Sequence, residues 1–176
     1  MIDDLKKVLN SKTLCEIYAN EYDTDKFIVG YVAGLGDEFC LIPNFDYYGR
    51  YDGVICLATD DIYRIQTNTR YLKAIEKLIA NTNCPIGQNF PTKDVLNSAI
   101  DCLKENKRVC QIELLDSDVV NVSGIIKAFD RQNGIIKLDC VDDYGTCDGE
   151  CTIDVQAISL ISYDSSDTKR IELLMK

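Results

Sequence analysis

No histidine occurs anywhere in the 176 residues. That removes the commonest general base, the side chain that titrates near neutral pH, and the commonest metal ligand. Proline is nearly missing too, with three in all, two of them at Pro85 and Pro91. No apolar run approaches the roughly 18 residues that a membrane span needs. The start, Met1-Ile2-Asp3-Asp4-Leu5-Lys6-Lys7, has no positive segment followed by an apolar core, so no signal peptide is read and a cytoplasmic protein is expected. Basic residues are outnumbered: 19 Lys and Arg face 29 Asp and Glu, for a net charge of −10. Residues 1–80 carry −4 and residues 81–176 carry −6, so neither half is a basic module. Phosphate neutralisation dominates nucleic-acid binding, and this balance disfavours a general nucleic-acid binder or an anionic membrane surface. There is no glycine-rich phosphate loop, no nucleophile elbow and no acid pair at catalytic spacing. The expectation is a protein that is not an enzyme and has no cofactor.

What is present is 46% hydrophobic and 27% charged residues, the composition of a globular chain. Nine cysteines are an odd number without an export signal, and they read as reduced thiols.

Apolar spacing predicts a helix over 2–10 through Ile2, Leu5, Val8 and Leu9. Thr13–Glu21 alternates, with Cys15, Ile17 and Ala19 on one face and Glu16 and Tyr18 on the other, as a strand would. Asp23-Thr24-Asp25 is a turn. Phe27–Ala33 is a second strand with Gly30 as a bend or bulge. Gly34–Asp37 turns, and Phe39–Phe45 is the third strand. Val54–Ala58 and Ile62–Gln66 follow, separated by a break at Asp60-Asp61, and Tyr71–Ala80 returns to helical spacing. Residues 81–91 are the linker, and Thr92 caps the next helix.

The pattern then runs again. Arg108–Leu115 matches the first strand at an offset of 95, with Cys110 and Ile112 under Cys15 and Ile17. Val119–Ala128 matches the second at 94, with Gly124 under Gly30. From Ile135 the offset is 96 to the end. The loop after the third strand reads Asp46-Tyr47-Tyr48-Gly49-Arg50-Tyr51-Asp52-Gly53 in one copy. It reads Asp142-Asp143-Tyr144-Gly145-Thr146-Cys147-Asp148-Gly149 in the other, five of eight positions matching. Two copies of helix, five strands and helix are the simplest account. The expected fold is mainly β with flanking α-helices, as two small barrels over 1–80 and 92–176.

Gly124 in the second strand, Asp130 at the following turn and the apolar Ile135-Ile136 resemble the first motif of the Sm-like fold. The wider pattern, with Asp61-Ile62-Tyr63-Arg64-Ile65 and Tyr71-Leu72-Lys73-Ala74-Ile75, is similar to a bacterial family of tandem Sm-like (LSm-type) barrels. The resemblance covers nearly the whole chain. It implies two five-stranded Sm-like, SH3-like barrels that assemble by pairing strand four of one with strand five of the next, here within the chain and between chains. It does not carry over the uridine pocket of RNA-binding members. Where they have Asn, this chain has Gly134 and Glu38; where they have Arg-Gly, it has Asp60-Asp61 and Gln156-Ala157.

The candidate binding residues lie in the two loops: Tyr47, Tyr48, Arg50, Tyr51, Asp143 and Tyr144, since tyrosine and arginine suit interfaces. The competing reading makes Asp52-Gly53 and Asp148-Gly149 turn residues with positive φ, and packs Tyr48 and Tyr144 at the barrel mouth. Asp46, Asp52, Asp142, Asp143 and Asp148 lack the ligand ladder of a calcium loop. Cys140, Cys147 and Cys151 lack zinc-knuckle spacing, so no metal is expected. The leading expectation is a non-enzymatic interaction or assembly module that self-associates or binds a protein partner. The alternatives are RNA binding through Lys127, Arg131, Lys137, Arg64 and Arg50, and small-ligand sensing at the barrel mouth by Tyr48 and Tyr144.

Overall fold

A computed structural model describes residues 1–19, 25–80, 93–115 and 122–176. The expected turn at Asp23-Thr24, the linker 81–91 and the cap at Thr92 lie outside them. The chain divides into two compact units, Met1–Val95 and Leu96–Lys176. Both are mainly antiparallel β with helices at their ends, and no helix among the described residues is long and apolar enough to cross a membrane.

Unit 1 begins with α1 (Ile2–Ser11), followed by β1 (Leu14–Tyr18), β2 (Ile28–Tyr31), β3 (Gly34–Leu35), β4 (Phe39–Phe45), β5 (Tyr51–Ala58) and β6 (Arg64–Thr67), then α2 (Arg70–Ile79). Its open sheet runs β5-β4-β2-β1-β6, with β3 also on β4. The expected turn at Gly34 is instead this short strand, paired Gly34 to Leu41 and Leu35 to Cys40. Unit 2 consists of α3 (Val95–Asn106), β7 (Val109–Leu114), β8 (Val122–Asp130), β9 (Ile135–Val141), β10 (Cys147–Asp154), β11 (Ile158–Tyr163) and α4 (Ser166–Leu174), in the order β10-β9-β8-β7-β11.

The same register recurs in both. Cys15 faces Gly30 and Cys110 faces Gly124. Ile17 faces Ile65 and Ile112 faces Ile161. Gly30 faces Asn44 and Gly124 faces Cys140. No register shift falls at either glycine. A Cβ on Gly30 would lie 2.4 Å from the Pro43 carbonyl oxygen, and one on Gly124 would lie 2.5 Å from that of Asp139. They let a neighbouring backbone come close.

Helix ends repeat as well. Lys12 and Lys107 close the first helix of each unit in the left-handed region, at φ 50 and 49. Asn68 and Asp164 adopt φ 59 and 58 just before the second. Thr69 then caps α2 by accepting from the Leu72 N–H, and Ser165 caps α4 by accepting from the Thr168 N–H. Each cap satisfies one of the donors that a helix start leaves open.

In unit 1, α2 lays Leu72, Ile75 and Ile79 on Leu14, Val29 and Phe45, with Tyr31 and Tyr51 at the margin. In unit 2 the matching cluster is Val109, Val141 and Ile171 with Ile125, built from smaller aliphatics. The strands before the 3-10 turns Thr59–Asp61 and Val155–Ala157 differ sharply. β5 buries Val54, Cys56 and Leu57, whereas β10 is exposed from Cys147 to Glu150 and again at Thr152 and Asp154.

Candidate functional site

The two tyrosine loops share one backbone solution. Tyr48 and Arg50 donate their N–H groups to Asp46 Oδ1, each at 2.9 Å. Tyr144 and Thr146 donate to Asp142 Oδ1 at 2.9 and 2.8 Å. Gly49 and Gly145 donate to the Asp46 and Asp142 carbonyls. Both glycines have positive φ, +73 and +75, and both sit against the second helix. A Cβ on Gly49 would lie 2.6 Å from Leu78 Cβ, and one on Gly145 would lie 2.9 Å from Leu174 Cβ. Gly53 and Gly149 then take φ 90 at a register shift in the following hairpin. The Asp and Gly of the motif are thus turn chemistry, as expected. The positive φ belongs to the glycines alone, because neither Asp52 nor Asp148 adopts it.

The tyrosines are different. Tyr48 is 53% exposed and Tyr144 is 79% exposed. The expected packing of both at a barrel mouth is therefore corrected: the turn uses their N–H groups and leaves their rings in solvent. Tyr47, 63% exposed, stacks on Tyr48 with centroids 3.8 Å apart. The Arg50 guanidinium lies 4.8 Å above the Tyr48 ring and bonds Asp46 Oδ2 at 2.7 Å. Burial pulls the Asp46 carboxyl upward, but the Arg50 and Tyr48 N–H groups and the Arg50 charge outweigh it and hold it below its usual range. The hydrogen bond to Tyr48, with some burial, lifts the Tyr47 phenol. Tyr51 stands apart from this group, packed edge-on against Phe45 at the core margin. Asp143 occupies the position of Tyr47 in the second loop and is exposed.

A second cluster was not foreseen. Glu16 is only 4% exposed, although alternation placed it on the outer face of β1. The cause is that β1 is covered twice. Cys15 and Ile17 face one core, and α2 covers the Leu14 face, so all five residues are buried. Glu16 accepts hydrogen bonds from the Thr69 and Tyr18 hydroxyls. Thr69 is also the α2 cap, so the carboxylate ties the helix start to the strand, where the dipole favours a negative charge. Tyr18 contacts Phe27 at 5.2 Å and Tyr63 at 6.3 Å, Phe27 meets Tyr71 edge-on at 5.5 Å, and Arg64 lies 4.5 Å over the Tyr18 ring. Burial, then Glu16, raises the Tyr18 phenol; burial, then Glu16 and Asp46, raises that of Tyr71. Unit 2 has Gln111 and Glu113 at the positions of Glu16 and Tyr18, both less buried. Only Phe129, Tyr144 and Tyr163 of the fifteen tyrosines and phenylalanines fall after residue 95. The signal in the sequence was this divergence between matched positions.

The cations of the RNA reading are mostly spoken for. Lys127 bridges Asp139 at 2.8 Å and Glu150 at 3.0 Å. Arg131 pairs with Asp101 and lies over Phe129. Arg50 and Arg64 are engaged as above, and Lys137 is exposed. Among the described residues, no group of three or more Cys, Asp or Glu is placed to hold a metal ion. Cys140 and Cys151 have come together and Cys147 is exposed.

Cys15, Cys40, Cys56 and Cys110 are buried. Burial pushes the thiols of Cys15, Cys40 and Cys110 from 9.0 up to about 12. A thiol that ionises near 9 when unfolded but stays neutral to about 12 when folded stabilises fully below the lower value and loses that contribution as pH rises toward the upper one. The urea midpoint is therefore expected to hold from pH 7 to 8 and fall between pH 9 and 10. Cys40→Val with Cys110→Val should flatten that fall, and an equal slope in the variant would contradict the assignment.

No family model matches the chain, and neither does any curated protein or solved structure.

Proposed function

We propose that the chain is a non-enzymatic assembly module made of two Sm-like barrels that arose by duplication, and that copies join by adding β10 of one to β6 of the next. The matched registers, caps and loops support the duplication. The single observation that carries the assembly is the exposure of β10. It ends its sheet beside β9 and is exposed along most of its eight residues. A long exposed end strand is a template for another strand. β6 is the opposite end of the unit 1 sheet, and it starts at Arg64, opposite in charge to Asp148, Glu150 and Asp154 of β10. This is the strand-four to strand-five pairing that the resemblance implies.

Light scattering at 5 to 200 μM is the test. A mass of two or more chains is expected, falling to one in Thr152→Pro, which removes a donor from β10. A Glu150→Lys variant, which keeps the backbone, should weaken association by at least tenfold. One chain at every concentration in the unaltered protein would sink the reading. RNA binding has less support, because four of its five cations, Arg50, Arg64, Lys127 and Arg131, are paired with carboxylates or rings.

A further inference from the structure

We propose that the second tyrosine loop and the end of α4 form a docking surface for a basic, amphipathic segment of a partner protein, an inference that rests on the assembly-module reading. The loop explains its Asp and Gly by hydrogen bonds and φ, but nothing in the turn requires a tyrosine ring at Tyr48 or Tyr144. Both copies nevertheless hold one, and both leave it in solvent beside an exposed leucine: Leu78 at 42% in unit 1 and Leu174 at 50% in unit 2. Gly145 packs against Leu174 and the Met175 backbone N–H, which sets Tyr144 next to the helix end. There Tyr144 at 79%, Leu173 at 67%, Leu174 and Met175 make a run of exposed apolar groups. Exposed apolar surface of this kind, rimmed by polar groups, is how interaction sites look.

Charge selects the occupant. Relative to unit 1, the second loop has exchanged Tyr47 for Asp143 and Arg50 for Thr146, a change of two units toward negative. Asp143 and Asp148 of this loop are exposed. Arg170 and Lys176 are the exposed bases nearby, and Lys169 pairs with Asp164 at 3.3 Å. With a net charge of −10 over the chain, the field attracts a cation-bearing partner and repels an acidic one.

The probe is a fluorescently labelled 18-residue helix of leucine and lysine, titrated with the full chain and read by anisotropy at 50 and 300 mM salt. Binding is expected, at least tenfold weaker in Tyr144→Ser with Leu173→Ser. Those side chains touch solvent, so the fold should stand. Asp143→Asn with Asp148→Asn should weaken binding at low salt and reduce its salt dependence. Tyr48→Ser should stay within twofold of the unaltered protein. The proposal is overturned if the Tyr144/Leu173 variant binds as well as the unaltered chain, if the peptide does not bind at 50 mM salt, or if a leucine–glutamate helix or a single-stranded RNA of equal length binds better. The Glu150→Lys and Thr152→Pro masses are read separately. Loss of peptide binding with assembly intact, or the reverse, then tells this proposal from the assembly reading.

Discussion

Gly30→Ala is expected to unfold unit 1 or to cost it about 3 kcal/mol or more, at the upper end of what overpacking does. The added methyl would fall 2.4 Å from the Pro43 carbonyl oxygen and 2.5 Å from Ile42 Cγ2. The first is backbone of a paired strand, and the second belongs to a side chain with no exposure. Neither can move aside without opening the β2–β4 contact, where Gly30 pairs with Asn44. Gly149→Ala is the control. Nothing lies within 4 Å of its would-be Cβ, and only its φ of +90 resists, at a cost of about 1–2 kcal/mol. Far-ultraviolet circular dichroism in a urea titration reads the β-sheet of both units, so the two variants are compared on one signal. A Gly30→Ala midpoint no lower than that of Gly149→Ala would refute the close-approach account.

The second large effect is at Glu16. Glu16→Ala should destabilise unit 1 by about 2 kcal/mol, because it removes the acceptor for two hydroxyls, that of buried Tyr18 and that of half-buried Thr69. Tyr18 keeps an alternative partner in Gln66 Oε1 at 3.1 Å, so most of the loss falls on Thr69. Glu16→Gln retains an acceptor and should cost less, about 1 kcal/mol. Thr69→Val adds the loss of a cap, about 1 kcal/mol. The Glu16→Ala and Thr69→Val losses should be less than additive, because both remove one bond. Additive losses, or a Glu16→Ala midpoint within error of the unaltered chain, would show that the carboxylate does not secure α2.

Much of the secondary structure could be read from periodicity. Leu5 and Val8 on α1, the alternation through Cys15 and Ile17, and Gly30 under Gly124 each have a local cause, and local causes are written in neighbouring residues. The turn chemistry of Asp46, Gly49 and Gly53 could be read for the same reason. Glu16 and Tyr18 could not. Glu16 is covered from the start of α2, more than fifty residues away in sequence, and Tyr18 by Phe27 and Tyr63, whereas alternation reports one covered face where there are two. The exposure of Tyr48 and Tyr144 was misread because an aromatic ring in a tight turn ordinarily packs. Here the glycine brings the loop so near the helix that the ring beside it is left outside. β3 was lost to Gly34 and Gly36, which signal a turn more strongly than two residues can signal a strand.

The matched registers have a consequence for how the chain finds its fold. A nascent β1 meets two partners of the same shape, β2 and β8, each offering a glycine opposite its cysteine. Pairing with the wrong one would satisfy the same ladder, and exchanged elements of this kind are a known failure of repeated chains. The hydroxyl lock is what the two halves do not share. A β1 seated beside α4 would bring Glu16 to Ser165, and a β7 seated beside α2 would bring Gln111 to Thr69. Ser165 would still offer Glu16 a hydroxyl, but Gln111 offers Thr69 no carboxylate, so the lock disfavours the second exchange more than the first.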